Sequence, residues 1–549
     1  GQERLIKKHV NEYDDYGRVK SQTHFDNQAN PVYTLFWDYD AHGNVTKEID
    51  PIGRQILRKY DLNNNLIEEQ GPNPDLILRY EFDAMNRLVK QEEIHKDITL
   101  CTNHRYDLTG NRIATVDPYG QETLYEYDEF HRLIKTTYPQ VLDEYGVLYS
   151  PVEKKEYDWC GNVTASTDGR SFTTHNQYNI RNQIYKTTYP NGLSEEKIYN
   201  LDGTVYKSTN TGGTYTIYNY DFAKRPIKKE TYSSDGVLVE TTSANYDAFH
   251  LLSETDAVGH VTSYEYTPEG WLNCKRKGDA VTNYIYDNLG RLKKTIQAYG
   301  SNSEEIVIHA QDYDFLNRIV EERTEDFSEQ VLTRTAYRYD LSGNKSQIIQ
   351  YTSPNEKSVT DIVYDTHNDP IFTTDPEGKQ TVIHRTFAYY NEHGQHVPFL
   401  STEDPKGNII TTAYDTHGRI AKVTKYSPHG HLLEQQEKRY DASGNPLAII
   451  NLNSNKKITT LYKHDEMNRI ALITEAWGTP EKRETKIEYC ALGLKTHHIK
   501  PDKTVLNYSY DALGRLTAYN DNFKTFAYEY HYDANYNPLL TLPLKNHPR

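Results

Sequence analysis

The feature that most constrains the fold is a short sequence that recurs along the chain, in forms such as "YDALGR", "YDNLGR" and "YDTHGR". Its tyrosine position can be followed from Tyr13 to Tyr532 in 23 units, spaced by about 24 residues, and in two units another residue replaces the tyrosine. A constant period of this length indicates one small structural unit repeated many times. We therefore predict a single repeat array over residues 1–549, without a separate domain.

One unit shows how the repeat folds. In "YDLTGNRIATVDPYGQETLYEYD", Asp107 and Gly110 take the first and fourth positions of a turn, where Asp accepts backbone hydrogen bonds and Gly adopts a positive φ. "NRIATV" and "QETLYEY" alternate polar and apolar residues, which is typical of strands. "DPYG", from Asp117, is a type I turn sequence. Each unit therefore predicts two strands and two turns, and the chain predicts an all-β antiparallel meander.

The motif residues receive structural roles: Tyr packs, Asp forms the turn and Gly permits it. An aromatic residue often stands two positions before the motif Tyr, on the same strand face, so we expect rings to stack in ladders across neighbouring units. Near-identical Tyr-Asp pairs give no reason to expect catalysis. The representative motif residues are Tyr39, Asp40, Gly43, Tyr106, Asp107, Gly110, Tyr127, Asp128, Tyr286, Asp287, Gly290, Arg291, Tyr414, Asp415, Gly418, Arg419, Tyr510, Asp511, Gly514 and Arg515.

The number of strands limits the architecture. Two strands per unit give about 46 strands, and a flat sheet of that many would be roughly 220 Å wide. Open sheets of more than about ten strands curl or close, so the ribbon must coil. It could form a filled solenoid or a wide spiral around a hollow. Apolar residues make up only 36% of the chain, although 48 are tyrosines, and this polar composition favours the hollow spiral.

These motifs, with the alternating turns "DPIG", "DPYG" and "DPEG", resemble the YD repeats of the Rhs family. Similar repeats occur in the cocoon-forming subunits of bacterial insecticidal toxin complexes and in the extracellular part of teneurins. The resemblance implies a long β ribbon that spirals into a hollow shell. In the bacterial relatives this shell encloses a toxic domain, and in teneurins a similar shell supports cell-surface adhesion.

The chain departs from the bacterial pattern at its end. The sequence "NPLLTLPLKNHPR" takes the place of the core segment with a DPxGL-like element that plugs the shell in those relatives, so no catalytic residue is carried over. The start, "GQERLIKKHV", shows no signal peptide. We expect a fragment, or one shell component, of a secreted or cell-surface protein.

Two functions follow from the resemblance. The first is a non-catalytic container, whose partners are an enclosed toxin or cargo polypeptide, a second shell component, or both. The alternative is an extracellular adhesion module that binds a carbohydrate or protein, with a cell-surface receptor or glycan as its partner. A polysaccharide-cleaving enzyme would need a carboxylate cluster that breaks the repeat, but the acidic residues mostly follow the repeat.

Several other classes are disfavoured. A net charge of −16 argues against a nucleic-acid partner, and no apolar run is long enough for a membrane span. The four cysteines form no CxxC, and no nucleotide or hydrolase motif appears, so we predict no catalytic residue, no cofactor and no metal ligand. His497 and His498 are adjacent on a predicted strand, so they face opposite sides and make a poor metal site.

One unit is lengthened to 30 residues by the stretch from Gln140 to Lys155. Insertions in repeat arrays map to loops, often at a binding face. This stretch therefore predicts either a tolerated surface loop or a contact with a partner.

Overall fold

The computed structural model describes residues 8–299, 306–353, 356–453, 456–523, 527–532 and the backbone of 538–543. The two chain ends considered above fall partly outside these ranges, at 1–7, 533–537 and 544–549. Every regular element within the described ranges is a β-strand. The described residues thus contain no helix that could cross a membrane.

There are 48 strands in the described ranges. They are β1 Lys8–Tyr13, β2 Val19–Phe25, β3 Pro31–Tyr39, β4 Val45–Ile49, β5 Gln55–Tyr60, β6 Leu66–Gln70, β7 Ile77–Phe82, β8 Leu88–Ile94, β9 Thr99–Tyr106, β10 Arg112–Val116, β11 Glu122–Tyr127, β12 Leu133–Thr137, β13 Val141–Leu142, β14 Leu148–Tyr149, β15 Val152–Tyr157, β16 Val163–Thr167, β17 Thr173–Tyr178, β18 Ile184–Thr188, β19 Ser194–Tyr199, β20 Val205–Thr209, β21 Tyr215–Tyr220, β22 Pro226–Tyr232, β23 Leu238–Tyr246, β24 Leu251–Thr255, β25 Val261–Tyr266, β26 Leu272–Lys277, β27 Ala280–Tyr286, β28 Leu292–Tyr299, β29 Val307–Tyr313, β30 Ile319–Glu325, β31 Val331–Tyr339, β32 Lys345–Ser353, β33 Glu356–Tyr364, β34 Pro370–Thr374, β35 Gln380–Tyr390, β36 His396–Glu403, β37 Ile409–Tyr414, β38 Ile420–Tyr426, β39 Leu432–Tyr440, β40 Pro446–Asn453, β41 Lys456–His464, β42 Ile470–Glu475, β43 Arg483–Tyr489, β44 Lys495–Ile499, β45 Val505–Tyr510, β46 Leu516–Asp521, β47 Ala527–Tyr532 and β48 Pro538–Pro543.

Of these strands, 46 form one sheet in which each strand pairs antiparallel with the next strand of the chain. β12 pairs directly with β15, because β13 and β14 form a separate two-stranded hairpin. Among the described residues no ladder joins β1 to β48, so the sheet is a ribbon with two ends and is not closed into a barrel. The predicted all-β meander is confirmed.

Each YD turn combines a type I turn with a β-bulge. After Tyr39, the Asp40 N–H donates to the Asn44 carbonyl at 3.0 Å, and the Gly43 N–H donates to the Asp40 carbonyl at 3.2 Å. Gly43 has a φ of 93°, the left-handed value that this three-residue hairpin loop requires. The Asp40 carboxylate accepts the N–H of His42 at 2.9 Å, so the aspartate closes the turn that its carbonyl opens. The ladder register shifts at Tyr39, as expected for a bulge.

Arginine and tyrosine join one unit to the next. Arg291 donates from Nε to Asp287 of its own turn at 2.6 Å and from Nη1 to the Asp314 carbonyl of the next turn at 2.7 Å. Its guanidinium lies 4.9 Å from the ring centre of Tyr313, whose hydroxyl donates to the Leu292 carbonyl at 2.9 Å. The same arginine–tyrosine stacking is found for Arg18 with Tyr39, Arg87 with Tyr106, Arg132 with Tyr157, Arg225 with Tyr246, Arg318 with Tyr339, Arg419 with Tyr440, Arg469 with Tyr489 and Arg515 with Tyr532.

The arginine–tyrosine contact between units differs from the predicted ladder of stacked rings. Among the rings two positions before the motif tyrosine, Tyr508 stacks on Tyr519 of the next strand, with centroids 5.0 Å apart. In nine of the units, however, the face of the motif tyrosine is covered by the arginine of the preceding unit. A guanidinium over an aromatic ring adds electrostatic attraction to the contact. In these units a cation–ring contact therefore takes the place of the ring–ring contact that the pattern of aromatic residues suggested.

The wall is one sheet thick. The accessible surface is 32689 Å² for a mass of 63.8 kDa, whereas a compact protein of that mass exposes about 20,000 Å². The few fully buried apolar side chains of the described residues are mostly small, such as Ala114, Ala310 and Ala448. A filled solenoid would bury a continuous core, so these values agree with a hollow spiral.

Long-range hydrogen bonds show how many residues make one turn of the spiral. They join residues separated by 255 to 298 positions, as for Gln395 with Gln140 and Thr214 with Ala512. The chain of 549 residues therefore makes about two turns. One turn contains about 24 strands, so at about 4.8 Å per strand its circumference is about 115 Å and its diameter about 37 Å. We call residues 8–286 the first turn and residues 287–543 the second turn.

Candidate functional site

The two turns of the spiral meet along a seam. The ribbon has a YD edge, formed by the turns that follow the YD motif, and an opposite edge, formed by the remaining turns. Asn27 on the opposite edge of the first turn donates its N–H to the carbonyl of Asn288 on the YD edge of the second turn, at 3.2 Å. Whichever side donates, every long-range hydrogen bond among the described residues joins the opposite edge of the first turn to the YD edge of the second turn, so the seam always joins these two edges.

Side chains on one edge bind backbone carbonyls on the other. Thr211 Oγ1 donates to the Ala491 carbonyl at 2.7 Å and Thr214 Oγ1 to the Ala512 carbonyl at 2.9 Å. Farther along, Arg54 Nη1 donates to the Leu341 carbonyl at 2.8 Å. Backbone carbonyls at turn tips are present whatever the sequence, so an edge that donates from side chains can stack on any YD edge.

Two glycines allow the edges to approach closely. A Cβ on Gly169 would lie 2.6 Å from the Cβ of Ala442, and a Cβ on Gly212 would lie 2.6 Å from Cδ2 of Leu492. Real Cβ atoms do not approach other carbons this closely. At Gly169 the neighbouring atoms include the backbone of Ala442, so a larger residue there would push the two turns apart, whereas at Gly212 the side chain of Leu492 would have to move.

Arg170 makes the largest set of seam contacts. Its Nη1 donates to Asn468 Oδ1 at 2.6 Å, and its Nη2 donates to the carbonyls of His464 at 3.2 Å and Asp465 at 2.9 Å. Its Nε lies 3.3 Å from a carboxylate oxygen of Asp441, and both side chains of this ion pair are largely buried. This one side chain thus contacts two consecutive YD β-turns, both of which belong to the second turn of the spiral.

The inserted stretch after Gln140 belongs to the seam. The Gln140 carbonyl accepts hydrogen bonds from Gln395 and Thr416, both at 2.8 Å, and the Glu144 carbonyl accepts one from Arg439 at 3.1 Å. Val141 is buried, with 3% of its surface exposed. The expectation of a tolerated surface loop is therefore wrong for the hairpin β13–β14, whose partner is the second turn of the same chain.

A group of titratable side chains crosses the seam near its start. His95 follows β8 on the first turn, and His367 lies in the YD turn after β33 on the second turn. Their rings stack with centroids 3.8 Å apart, and the ligand atoms of Glu93, His95 and His367 all lie within 4.8 Å of one another. Burial, followed by the neighbouring His367, lowers the pKa of His95. The imidazole of His95 is thus suited to stay neutral at neutral pH.

The representative motif residues are distributed along the ribbon and do not converge on one site. Those of the first turn, such as Asp107, lie on a YD edge that no described residue covers, whereas those of the second turn, such as Asp415, lie at the seam. Some seam residues were named from the sequence as turn residues or as part of the insertion, but no contact between the two turns of the spiral was predicted. The sequence signal for the seam is weak, because Thr, Gly and Arg at turns are common and their partners lie more than 250 positions away.

Hydrogen bonds to the turn aspartates make the fold sensitive to acid. Burial raises the pKa of Asp107, but hydrogen bonds from Thr109 and Asn111 outweigh this effect and lower the pKa from 3.8 to about 2. The pKa of Asp40 and that of Asp61 are lowered by the same kind of contact, above all by the side-chain hydrogen bonds of Asn44 and Asn65. These carboxylates are therefore more acidic in the folded chain than in the unfolded chain.

The sign of the pH effect follows from this difference. The contribution of these carboxylates to stability is complete above about pH 4 and is lost as the pH falls towards 2. We expect the strand signal in circular dichroism to be constant from pH 7 to 4 and to fall between pH 4 and 2. A strand signal that persists unchanged at pH 2 would contradict this assignment. Asn179 forms the same turn without a carboxylate, so Asp107→Asn is expected to keep the turn.

Comparisons with known proteins agree with this geometry. A family model described as RHS Repeat matches residues 106–140. Curated protein sequences gave no match. Among solved structures, a Photorhabdus luminescens Tc holotoxin pore with the TccC3 mutation D651A is 14% identical with a TM-score of 0.55, covering 99% of this chain and 34% of that chain. A crystal structure of TcdB2-TccC3-Cdc42 is also 14% identical with a TM-score of 0.55, covering 98% of this chain and 33% of that chain.

A third solved structure, TcdB2-TccC3 without its hypervariable C-terminal region, is 13% identical with a TM-score of 0.53, covering 98% of this chain and 34% of that chain. The chain thus spans about a third of the length of the solved chains that it matches. The likeness shows the fold: a long antiparallel ribbon of the kind found in Tc toxin shells. The family model identifies an RHS repeat at residues 106–140, and the solved structures share the fold of the ribbon as a whole.

Proposed function

We propose that this chain is part of the wall of a shell that encloses a toxic or other cargo polypeptide. The observation that carries the proposal is the hollow two-turn spiral with a closed seam. Its surface exceeds that of a compact protein of the same mass by more than half, as a one-layer wall requires. After subtraction of about 10 Å for the thickness of the sheet, the interior is roughly 25 Å wide.

Exclusion is the physical basis of this function. A lumen of this width admits a polypeptide chain, whereas a folded protein of 100 residues already has a radius of gyration of about 13 Å and fills or exceeds it. Folded proteases would therefore be kept out while the seam is closed. The proposal requires no catalytic step and no cofactor, and it places the protein in secreted or surface-bound toxin assemblies.

The uncovered YD edge of the first turn supports a second shell component as a partner. Its turns expose large apolar side chains, which we call the first-turn tips. They are Tyr16, Leu62, Met85, Leu108, Phe130, Trp159, Ile180, Leu201, Phe222 and Phe249, each with at least 62% of its surface exposed.

Residues at the same turn positions in the second turn are less exposed: Phe315 and Leu341 keep 51% and 60% of their surface exposed, and three others are half-buried. Met467, Leu492 and Leu513 lie at the seam, and Leu492 and Leu513 line a cavity together with Asn210 and Thr214 of the first turn. The first-turn tips therefore resemble one edge of the seam, without a partner edge among the described residues. Another ribbon edge, of the kind that the first turn offers to the second, has the matching chemistry.

Two adjacent lysines on one strand can test whether the wall keeps large molecules out of the lumen. Lys154 and Lys155 are consecutive residues of β15, and both are exposed to solvent. Consecutive strand residues face opposite sides of a sheet, so one lysine faces the lumen and the other faces outwards. We expect a small amine reagent to label both lysines, and the same reagent on a dextran carrier wider than about 40 Å to label only one.

Mass spectrometry of the labelled peptides measures the outcome. Labelling of both lysines by the carrier-bound reagent would mean that the wall does not exclude large molecules, and the container proposal would fail. Lack of labelling of one lysine by the small reagent would mean a filled solenoid. The two lysines share one strand and one peptide, so each is the internal control of the other.

A further inference from the structure

The buried histidine pair at the seam has the features of metal ligands. Nε2 of His95 and Nε2 of His367 are both buried and have no hydrogen-bond partner. Buried polar atoms in proteins are almost always paired, so two orphaned lone-pair nitrogens beside each other need an explanation. Glu93 Oε2 lies 3.9 Å from Nε2 of His95 and brings a negative charge to the same place.

An oxygen atom lies near each of the other ring nitrogens, within hydrogen-bond distance for His95 and beyond it for His367. Nδ1 of His95 lies 2.5 Å from Oγ1 of Thr366, and Nδ1 of His367 lies 3.8 Å from a carboxylate oxygen of Asp365. Metal-binding histidines in proteins usually donate the second ring N–H to an oxygen, which fixes the tautomer and directs the lone pair towards the metal. Here each ring has an oxygen beside Nδ1, and each Nε2 is left for a ligand.

We propose that Glu93, His95 and His367 bind a divalent transition-metal ion of the Zn²⁺ type and that this ion links the two turns of the wall. Two imidazoles and one carboxylate suit Zn²⁺ and related ions, whereas Ca²⁺ and Mg²⁺ prefer sites made of oxygen ligands. The fourth position of a tetrahedral ion is then open to water.

Formation of the site needs only a small adjustment. Ligand atoms about 2.0–2.2 Å from a tetrahedral ion are roughly 3.3 Å apart, so atoms within 4.8 Å of one another must close by about 1.5 Å. The stacked rings must fan apart by rotation of their side chains, and the partly exposed Glu93 can move towards them.

The position of the site gives it a function in the shell. His95 and Thr366 are separated by 271 positions and belong to different turns. The ligands come together only when the seam is closed, so an ion that binds here stabilises the closed seam and leaves the separated turns unaffected. This inference concerns the wall itself and is independent of what the shell encloses.

Metal titration of the full chain tests the proposal. The protein is stripped with a chelator and titrated with Zn²⁺ against a competing fluorescent chelator, and Co²⁺ serves as a spectroscopic probe of tetrahedral geometry. We expect one strong site per chain. Glu93→Gln and His367→Gln should each weaken metal binding at least tenfold, since even changing a residue that only hydrogen-bonds to a metal ligand lowers metal affinity about 10–100-fold. His260→Gln is the control, because this exposed histidine lies 3.5 Å from Asp256 but outside the seam.

A second measurement separates specific binding from surface binding. Zn²⁺ should slow amide hydrogen exchange in peptides around residues 95–98 and 365–368 of the wild-type chain, but not in Glu93→Gln. This variant changes a side chain with 41% exposure and is expected to fold even if His367→Gln does not. Absence of stoichiometric binding to the folded wild-type chain would overturn the proposal. Binding that is equally strong in Glu93→Gln, His367→Gln and the control would also overturn it.

Discussion

Replacing Arg170 with alanine is expected to open the seam. The substitution removes three hydrogen bonds to the second turn and leaves the carboxylate of Asp441 without its ion-pair partner across the seam. Breaking a buried ion pair from one side typically costs about 3–5 kcal/mol. At about 1.4 kcal/mol for each factor of ten, separation of the turns near this point should become at least a hundredfold more frequent.

Hydrogen exchange measured by mass spectrometry reports this opening directly. Peptides that contain residues 168–172 on the first turn and 464–468 on the second turn should both exchange faster in Arg170→Ala. Because a repeat array loses structure locally, exchange in units far from the seam contact should stay unchanged. The overall strand signal should also be retained.

Arg105→Ala is the matched control for this substitution. Arg105 also pairs with a carboxylate, that of Glu122, but both side chains are well exposed and belong to the first turn. Exposed ion pairs contribute at most about 1 kcal/mol, so exchange at the seam should not respond. Equal exchange in wild type and Arg170→Ala, or equal acceleration in both variants, would show that Arg170 does not hold the seam.

The sequence predicted the fold of each unit because that fold is determined locally. Asp, a central pair and Gly or Asn make the turn within five residues, and the strands between turns follow from alternation of polar and apolar residues. The need for coiling followed from strand number alone. The hollow interior was favoured by composition, and the large accessible surface agrees with it.

The contacts of the motif arginine could be predicted from the sequence only in part. Asp287 and Arg291 are close in sequence, and their hydrogen bond could be inferred from a turn. The stacking of Arg291 on Tyr313 depends on the offset between neighbouring strands, which the motif alone does not contain. Aromatic spacing therefore suggested ring ladders, although the cation fills the space between rings.

The seam could not be predicted for a different reason. Which turns meet depends on the number of strands in one turn of the spiral, and this number is set by the accumulated curvature of the whole sheet. A change of a single unit per turn would place His95 beside a different YD turn. The same holds for the hairpin β13–β14, whose insertion is evident in the sequence but whose contact with Arg439 is not.

The seam and the uncovered edge together lead to a prediction about association. Among the described residues, nothing covers the YD edge of the first turn, which carries the apolar tips, or the opposite edge of the second turn, which is of the type that receives such tips. Two copies can therefore stack head to tail, with the first-turn tips of one copy on the second turn of the other. Contacts of this heterologous kind extend without closing, so the wild-type chain should form short stacks as its concentration rises.

Removing the tips should prevent this stacking. In a variant with Leu108→Ser, Trp159→Ser, Ile180→Ser and Phe222→Ser, four side chains with at least 90% exposure lose their apolar groups. Burial of one such side chain is worth about 1.5–3 kcal/mol, so even partial burial at the contact makes the expected loss of affinity at least a hundredfold. Sedimentation velocity over a concentration series should show stacks for the wild type and monomers for the variant.

The control substitutes exposed apolar residues that lie within strands and are not turn tips. Ile198→Ser and Val261→Ser alter side chains with 53% and 52% exposure, within β19 and β25. If this control also became monomeric, general surface hydrophobicity would explain the association. If the tip variant stacked as the wild type does, the first-turn tips would not be a docking edge, and a second shell component would have to attach elsewhere. Stacking that is lost with the tips alone would identify the YD edge as the surface on which further wall is added.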